Sequence, residues 1–161
     1  MLRILLVAIL ALASGQAMAA CGDPGEEQPD AGPAEPVAQG SEATTDLVVN
    51  ELSPADDWVE LLNRTDAPID LAGYYLTDKA DRLDHYVLLE GELLPGEHVV
   101  VEPDAFGLAR SDELNLLTTT GLPVDGLAYL YVGAKAGESL ARQPSGQGRF
   151  YFAPATPGES N

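Results

Sequence analysis

The stretch that decides the fold reads Asp57-Trp58-Val59-Glu60-Leu61-Leu62-Asn63. Val59 and Leu61 alternate with Trp58, Glu60 and Leu62, which predicts a β-strand that turns one aliphatic face toward a core. The polar residues 63–66 end this strand. The preceding residues 47–52 are rich in valine and leucine and close at Ser53-Pro54, which predicts another strand.

Further strands are predicted from apolar runs that recur at intervals of roughly 10–15 residues between Gly, Pro and Asp turns. These runs cover residues 71–77, 86–89, 97–102, 114–118 and 124–132. Two turns are expected, one with Gly73 at positive φ and one of type II at Pro95-Gly96. Residues 105–111 are expected to form at most one short helical turn. The pattern favours an all-β sandwich or barrel.

The length and hydrophobic content of the chain suit one domain, and its net charge restricts the classes of partner that it is expected to bind. The 161 residues, 45% of them hydrophobic, are enough for a single core. There are 26 acidic and 8 basic residues, and the formal net charge is -18. Nineteen of the acids and seven of the bases fall in residues 47–161, for a net charge of -12. Nucleic-acid-binding domains normally carry a net positive charge, so nucleic acid is not an expected partner.

Residues 1–20 are predicted to be an export signal. Arg3 supplies the positive end, and the apolar run 4–13 is too short to cross a bilayer as a helix of about 20 residues. Met18-Ala19-Ala20-Cys21 resembles a bacterial lipobox, in which the cysteine is lipidated and becomes the new N-terminus. The following Gly22 then favours retention at the outer membrane. Alternatively, Ala17-Met18-Ala19 is an ordinary cleavage site, and the protein is periplasmic or secreted.

Residues 21–46 are predicted to be a disordered acidic tether rich in Pro, Glu and Ala. Residues 22–46 hold seven acids, no base and four prolines, and Val37 is their only large aliphatic residue. Such a segment buries too little apolar surface to offset its ordering entropy. A flexible coil of this length spans roughly 25–30 Å. The folded domain is therefore expected to occupy residues 47–161.

Seven motifs, in order along residues 49–161, resemble those of the lamin tail domain. They are Val49-Asn50-Glu51, Asp57 to Asn63, Ile69 to Leu76, Leu94 to Val101, Gly121 to Asp125, Arg142-Gln143-Pro144, and Thr156-Pro157-Gly158 with Asn161. The resemblance implies an immunoglobulin-like β-sandwich. It also implies that the strand acids Glu51, Glu60 and Asp125 are structural, and such acids must be either exposed or buried and hydrogen-bonded.

Candidate catalytic residues are few. The two histidines, His85 and His98, lie in or beside predicted strands, where a surface or strand-edge position is expected. The sequence contains no G-x-S-x-G, Cys-His or H-E-x-x-H pattern. The protein is therefore not expected to be an enzyme.

Acidic residues offer weak candidates for a metal site. Asp78, Asp81 and Asp84 form a D-x-x-D-x-x-D run, whose oxygen ligands suit calcium. Another acidic group, Asp104, Asp112 and Glu113, is expected to gather in a loop. Neither spacing matches an EF-hand, and Lys79 and Arg82 partly neutralise the first run. Solvated acidic loops are the favoured interpretation, with no required cofactor.

Aromatic side chains offer a different kind of site. Trp58, Tyr74, Tyr75 and Tyr86 are suited to form a platform for a sugar or peptide, although filling the core is the favoured interpretation. Asn63-Arg64-Thr65 matches the N-glycosylation pattern, and Asn63 is instead assigned to the motif that ends its strand.

The sequence thus predicts a non-enzymatic extracytoplasmic binding or scaffolding module, lipid-anchored at Cys21. Its expected partner is a protein or a cell-envelope polymer, bound through loops or an exposed sheet edge. One alternative is an accessory domain for a secreted nuclease or phosphatase, since lamin-tail-like domains accompany such enzymes in bacteria. Another is a calcium-dependent binding module.

Overall fold

The computed structural model describes residues 38–82 and 85–161. The export signal, Cys21 and most of the predicted tether lie outside the described residues, as does Asp84. The described part of the chain contains eleven strands and one 3-10 turn, Leu71–Gly73. The strands are β1 (Leu47–Ser53), β2 (Trp58–Asn63), β3 (Ile69–Asp70), β4 (Tyr74–Thr77), β5 (Val87–Leu88), β6 (Glu92–Leu93), β7 (His98–Val101), β8 (Ser111–Thr118), β9 (Pro123–Leu130), β10 (Glu138–Gln143) and β11 (Arg149–Pro154).

Two antiparallel sheets carry most of these strands. The first sheet has the order β11-β10-β1-β2-β7, and the second has the order β5-β4-β8-β9. A short third sheet pairs β3 with β6. The predicted all-β class is confirmed, and the two main sheets form an immunoglobulin-like β-sandwich.

The core lies between the two sheets and follows the alternation seen in the sequence. Val59 and Leu61 of β2 are fully buried in the core, as the sequence predicts. Leu76 and Leu116 face them from the second sheet within the same apolar cluster. Full burial of one leucine contributes about 1.5–3 kcal/mol, so this cluster is the main source of stability.

A buried arginine joins the two sheets. Arg142 on β10 is fully buried, and its NH2 group donates to both oxygens of Asp125 on β9 at 3.0 Å. Its Nε donates to Val49 O at 2.8 Å, and its guanidinium lies 4.4 Å from the centroid of the Phe150 ring. Burial lowers the pKa of Arg142, and the adjacent Asp125 carboxylate opposes that effect.

The opposite face of the first sheet buries two carboxylates under the C-terminal residues. Glu51 and Glu60 are direct cross-strand neighbours and are fully buried. Both backbone N–H and Oγ1 of Thr156 donate to Glu51 at 3.0 Å, and Gly158 N donates to Glu60 at 2.6 Å. Asn50 Nδ2 donates to the other oxygen of Glu60. The strand acids are therefore buried and hydrogen-bonded, which is one of the two expected outcomes.

The end of the segment predicted as a tether packs on the sandwich. Gln39 and Phe150 exchange both backbone hydrogen bonds, at 2.8 and 3.0 Å. Ala43 N donates to Gln147 O, and Ser41 O accepts from Arg142. Ordered structure thus begins at least eight residues before residue 47, because these backbone groups find partners on β11 and in the β10–β11 turn.

One local turn differs from expectation, one segment lacks the short helical turn that the sequence allows, and one turn agrees with expectation. Residues 70–73 form a 3-10 turn in which Asp70 accepts a hydrogen bond from Ala72 N, and Gly73 is not at positive φ. Residues 105–110 form no helix, and Ser111 already belongs to β8. The Pro95-Gly96 turn is confirmed: Gly96 has φ of 72° and Glu97 N donates to Leu94 O.

Within the described residues, no helix has the length and apolarity needed to span a bilayer.

Replacing Asp125 with Asn should destabilise the fold strongly. The substitution leaves the buried Arg142 charge without its carboxylate, and such losses cost about 3–5 kcal/mol. Urea denaturation should show a lower midpoint for Asp125→Asn. The control Glu113→Gln removes an exposed acid from the second sheet and should change the unfolding free energy by less than about 0.5 kcal/mol. Equal midpoints for the two variants would contradict this role of Arg142.

Replacing Thr156 with Val should loosen the C-terminal residues. The change removes the hydroxyl bonds to Glu51 and Asn161 and leaves a buried carboxylate oxygen with fewer donors, for a loss of about 1–3 kcal/mol. Hydrogen exchange should show faster exchange at residues 156–161. Glu159→Gln, an exposed change in the same segment, serves as the control and should leave exchange unchanged.

Candidate binding cleft

The outer face of the second sheet carries a row of apolar side chains across all four strands. The register places Tyr75 of β4 opposite Leu88 of β5 on one side and Leu117 of β8 on the other. Leu117 in turn lies opposite Pro123 of β9. Cross-strand neighbours project from the same face, so these four side chains form one continuous row. Leu88 is 55% exposed, so this end of the row is open to solvent.

A cleft with a volume of about 380 Å³ opens at the Tyr75 and Leu88 end of this row. The ring centroids of Tyr75 and Tyr86 lie 5.6 Å apart at 67°, an edge-to-face pair that fixes both rings. Three segments build the cleft: β4 and the residues after it, the start of β5, and the β8–β9 turn. The lining residues are Tyr75, Lys79, Ala80, Arg82, Tyr86, Leu88, Thr119, Thr120 and Gly121.

Hydrogen bonds hold the polar walls of the cleft. Lys79 Nζ donates to Asp78 Oδ2 at 3.1 Å, and Asp78 is itself buried. On the opposite wall, the hydroxyls of Thr118 and Thr120 are 2.8 Å apart, and Thr119 N donates to Gly73 O at 2.9 Å. The walls therefore present an ammonium, a guanidinium and hydroxyl groups on a fixed backbone.

The structure divides the four predicted aromatic residues into two pairs. Trp58 is buried on β2 of the first sheet, and Tyr74 packs against the core. Core filling is thus confirmed for Tyr74, whereas Trp58 shares the face of Glu60 and lies outside the apolar cluster between the sheets. Tyr75 and Tyr86 instead come together in the cleft, as the platform interpretation requires.

The acidic candidates do not come together as the sequence analysis expected. Asp112 and Glu113 belong to strand β8, while Asp104 lies in the preceding loop, so the predicted grouping in one loop is wrong. Asp78 is buried and paired with Lys79, whereas Asp81 is exposed. Across residues 38–82 and 85–161, no three His, Cys, Asp or Glu side chains are grouped to hold a metal. Because Asp84 lies outside these ranges, the preference for solvated acidic loops over a calcium site stays a prediction.

The two histidines occupy different environments. His85 Nδ1 lies 3.6 Å from Asp78 Oδ1, and its backbone carbonyl accepts a hydrogen bond from Thr77 Oγ1. His98 lies on β7 beside β2, and its Nε2 is 4.0 Å from Glu60 Oε1. Each histidine therefore faces a buried carboxylate that belongs to the framework of the fold.

Asn63 ends β2, as the sequence analysis assigned it. Its Nδ2 donates to the carbonyls of Ala67 and Leu93, both at 2.8 Å, and its Oδ1 accepts from Thr65. The side chain is fully buried, so the folded chain cannot accept a glycan at this amide.

Sequence reasoning did not identify the polar walls of the cleft. In the sequence, Lys79 and Arg82 are recognisable only as bases that partly neutralise the acidic run, and nothing marks Thr119 or Thr120 as cleft residues. The β8–β9 turn reaches Tyr75 only through strand pairing, because Tyr74 lies opposite Thr118. The signal available in the sequence was the clustering of two of the domain's seven bases beside two tyrosines.

The fold and the cleft together indicate a class of protein. The fold is an immunoglobulin-like sandwich whose candidate site is a surface cleft, with its strand carboxylates committed to structure. That combination is typical of a non-catalytic binding domain.

The family model of the Lamin Tail Domain matches residues 40–131, more than half of the chain, and the protein belongs to this family. The match begins within the segment predicted as a tether, in agreement with the ordered contacts from Gln39 onward. It ends before the Arg142 and Thr156 motifs, whose contacts the structure shows directly. Members of the family carry a non-catalytic immunoglobulin-like domain. A comparison with curated proteins found no match.

Stability should fall as His98 becomes protonated. Burial lowers the pKa of His98 from 6.5, and the charge of Glu51 opposes this effect. The folded state therefore binds this proton less readily than the unfolded chain does. The contribution of neutral His98 to the free energy of unfolding is complete above about pH 6.5. It is lost as pH falls through the lowered pKa.

Urea denaturation of wild type and His98→Gln between pH 7.5 and pH 5 measures this contribution. The stability of wild type should decrease relative to the variant as pH falls. Burial raises the pKa of Glu60, which changes stability in the opposite direction but is present in both proteins. Parallel profiles for wild type and His98→Gln would contradict the effect.

Proposed function

We propose that this protein is a non-enzymatic binding module of the bacterial cell envelope, exported and lipid-anchored at Cys21. Its domain engages a protein or an envelope polymer through the cleft at Tyr75 and Tyr86. The lipobox-like Met18-Ala19-Ala20-Cys21 and the acidic segment that follows it support the anchored location. The observation that carries the binding role is the position of the cleft relative to the point where the N-terminal segment joins the sandwich.

The N-terminal segment joins the sandwich at one corner. The backbone of Gln39 pairs with Phe150 at the edge of the first sheet. Its side-chain amide accepts from Leu130 N at 2.6 Å and donates to Leu130 O at 3.1 Å, at the edge of the second sheet. Gly40 then packs against Phe150 and Leu127, where an added Cβ would lie 3.1 Å from the Phe150 ring. One residue therefore attaches the segment to both sheets.

The cleft lies at the diagonally opposite corner of the second sheet. Leu130 ends the edge strand β9, whereas the cleft is built on β4 and β5 at the other edge. The cleft also includes the β8–β9 turn, which lies at the other end of β9 from Leu130. With strands about 4.8 Å apart and a rise of about 3.3 Å per residue, the two corners are roughly 25–30 Å apart. An anchor upstream of Gln39 therefore leaves the cleft accessible from the side away from the membrane.

Metabolic labelling with radioactive palmitate tests the anchor. Wild type should incorporate label, and Cys21→Ala should not, because only a cysteine accepts the lipid. Met18→Leu completes the usual lipobox and should label at least as strongly as wild type. Equal labelling of wild type and Cys21→Ala would refute lipidation at this residue.

Capture from envelope extracts tests the binding role. The immobilised full-length protein should enrich a component that Tyr86→Ala loses by about tenfold or more, because the variant removes one wall of the cleft. Leu130→Ala is the matched control, an exposed apolar residue at the opposite corner, and should capture as wild type does. The proposal fails if wild type enriches nothing, or if both variants capture equally.

A further inference from the structure

We infer that the cleft binds a short segment of a neutral polysaccharide, so that the envelope partner of the proposed function is a glycan. This inference rests on the proposed binding role and assigns a ligand class to the same site. Four observations support it: the size of the cleft, its aromatic corner, its hydroxyl and cationic walls, and the net negative charge of the domain that carries it.

The size of the cleft suits a few sugar rings. Its volume of about 380 Å³ lies at the lower part of the range of about 300–1,000 Å³ for small-ligand sites. A standard protein interface involves about 20–30 residues on each side. The nine residues that line this cleft are too few for such an interface. A polymer that inserts a short segment into the cleft needs no larger surface.

The tyrosine pair offers a surface that suits a sugar ring. Pyranose rings have apolar C–H faces, and these pack on aromatic rings whose hydroxyls remain at the edge of the contact. Tyr86 is 39% exposed, and its edge-to-face contact with Tyr75 holds it in one orientation. A ring that is already fixed loses little conformational entropy when a ligand stacks on it. Leu88 extends the apolar surface beside the pair.

The walls supply both donors and acceptors. Each sugar hydroxyl donates one hydrogen bond and accepts others, so a glycan site needs both kinds of group. Lys79 and Arg82 only donate, whereas the hydroxyls of Thr119 and Thr120 donate and accept. The two kinds of group stand around the aromatic corner, where the hydroxyls on the edge of a stacked ring would meet them.

The charges around the cleft favour a neutral ligand over an acidic one. Lys79 is already paired with Asp78 at 3.1 Å, and the exposed Asp81 lies between the two bases in sequence. Residues 47–161 carry a net charge of -12, which repels a polyanion at a distance. A neutral glycan avoids this repulsion and still uses both bases as hydrogen-bond donors.

A glycan array probed with the full-length protein in detergent tests the assignment. The array should contain neutral hexose and N-acetylhexosamine oligosaccharides together with uronic-acid oligosaccharides. Wild type should bind members of the neutral set. Tyr86→Ala should bind them at least about tenfold more weakly, while Tyr86→Phe, which keeps the ring, should stay within a few-fold of wild type. Leu130→Ala should bind as wild type does, and melting temperatures of all variants show whether each is folded.

The other outcomes overturn the assignment. Binding confined to uronic-acid oligosaccharides would show an acidic ligand instead. Binding of a decaproline peptide that depends on Tyr86, without glycan binding, would show a peptide site. If no glycan binds but the envelope capture still depends on Tyr86, the ligand class is wrong and the binding role survives. If both experiments fail, the proposed function fails with the ligand.

Discussion

The sandwich depends on one buried cation. Arg142 lies inside an apolar structure, where an uncompensated guanidinium would cost far more than the marginal stability of a small domain. Its donors are therefore matched by acceptors from separate parts of the chain: Val49 O on β1, Gly148 O in the β10–β11 turn, Ser41 O in the N-terminal segment and the carboxylate of Asp125 on β9. One side chain thus fixes the spacing of the two sheets and the path of the segment that enters them.

The carboxylates on the outer face of the first sheet are likewise buried and matched by hydrogen-bond partners from a distant part of the chain. Glu51 and Glu60 lie side by side and would repel each other if they were left without donors. The C-terminal residues supply those donors, from Thr156 and Gly158. The Thr156-Pro157-Gly158 motif therefore has a physical role, because the residue at each of its ends donates hydrogen bonds to a carboxylate that the sheet buries.

Alternation and turn residues predicted the strands and the fold class, because these signals act over a few neighbours. The partners of the strand acids could not be predicted in this way, since Thr156 lies 105 residues from Glu51. The cleft was foreseen only in part for the same reason. Tyr74 and Tyr75 look alike in the sequence, and the pairing register alone turns Tyr75 outward beside Leu88. The acidic residues Asp112 and Glu113 are typical of loops, yet they begin β8, a strand paired on both sides whose leucines are buried.

The double attachment of Gln39 also has a mechanical consequence. Its backbone is bonded to Phe150 of the first sheet and its side chain to Leu130 of the second. Tension applied to the chain before this residue is divided between the two sheets instead of peeling one edge strand. Under the proposed anchoring and binding, an envelope polymer that moves relative to the membrane would exert such a pull. The same contacts occupy the backbone groups of Phe150 and Leu130 on the two edge strands, so these groups are not available to pair with a strand of another molecule.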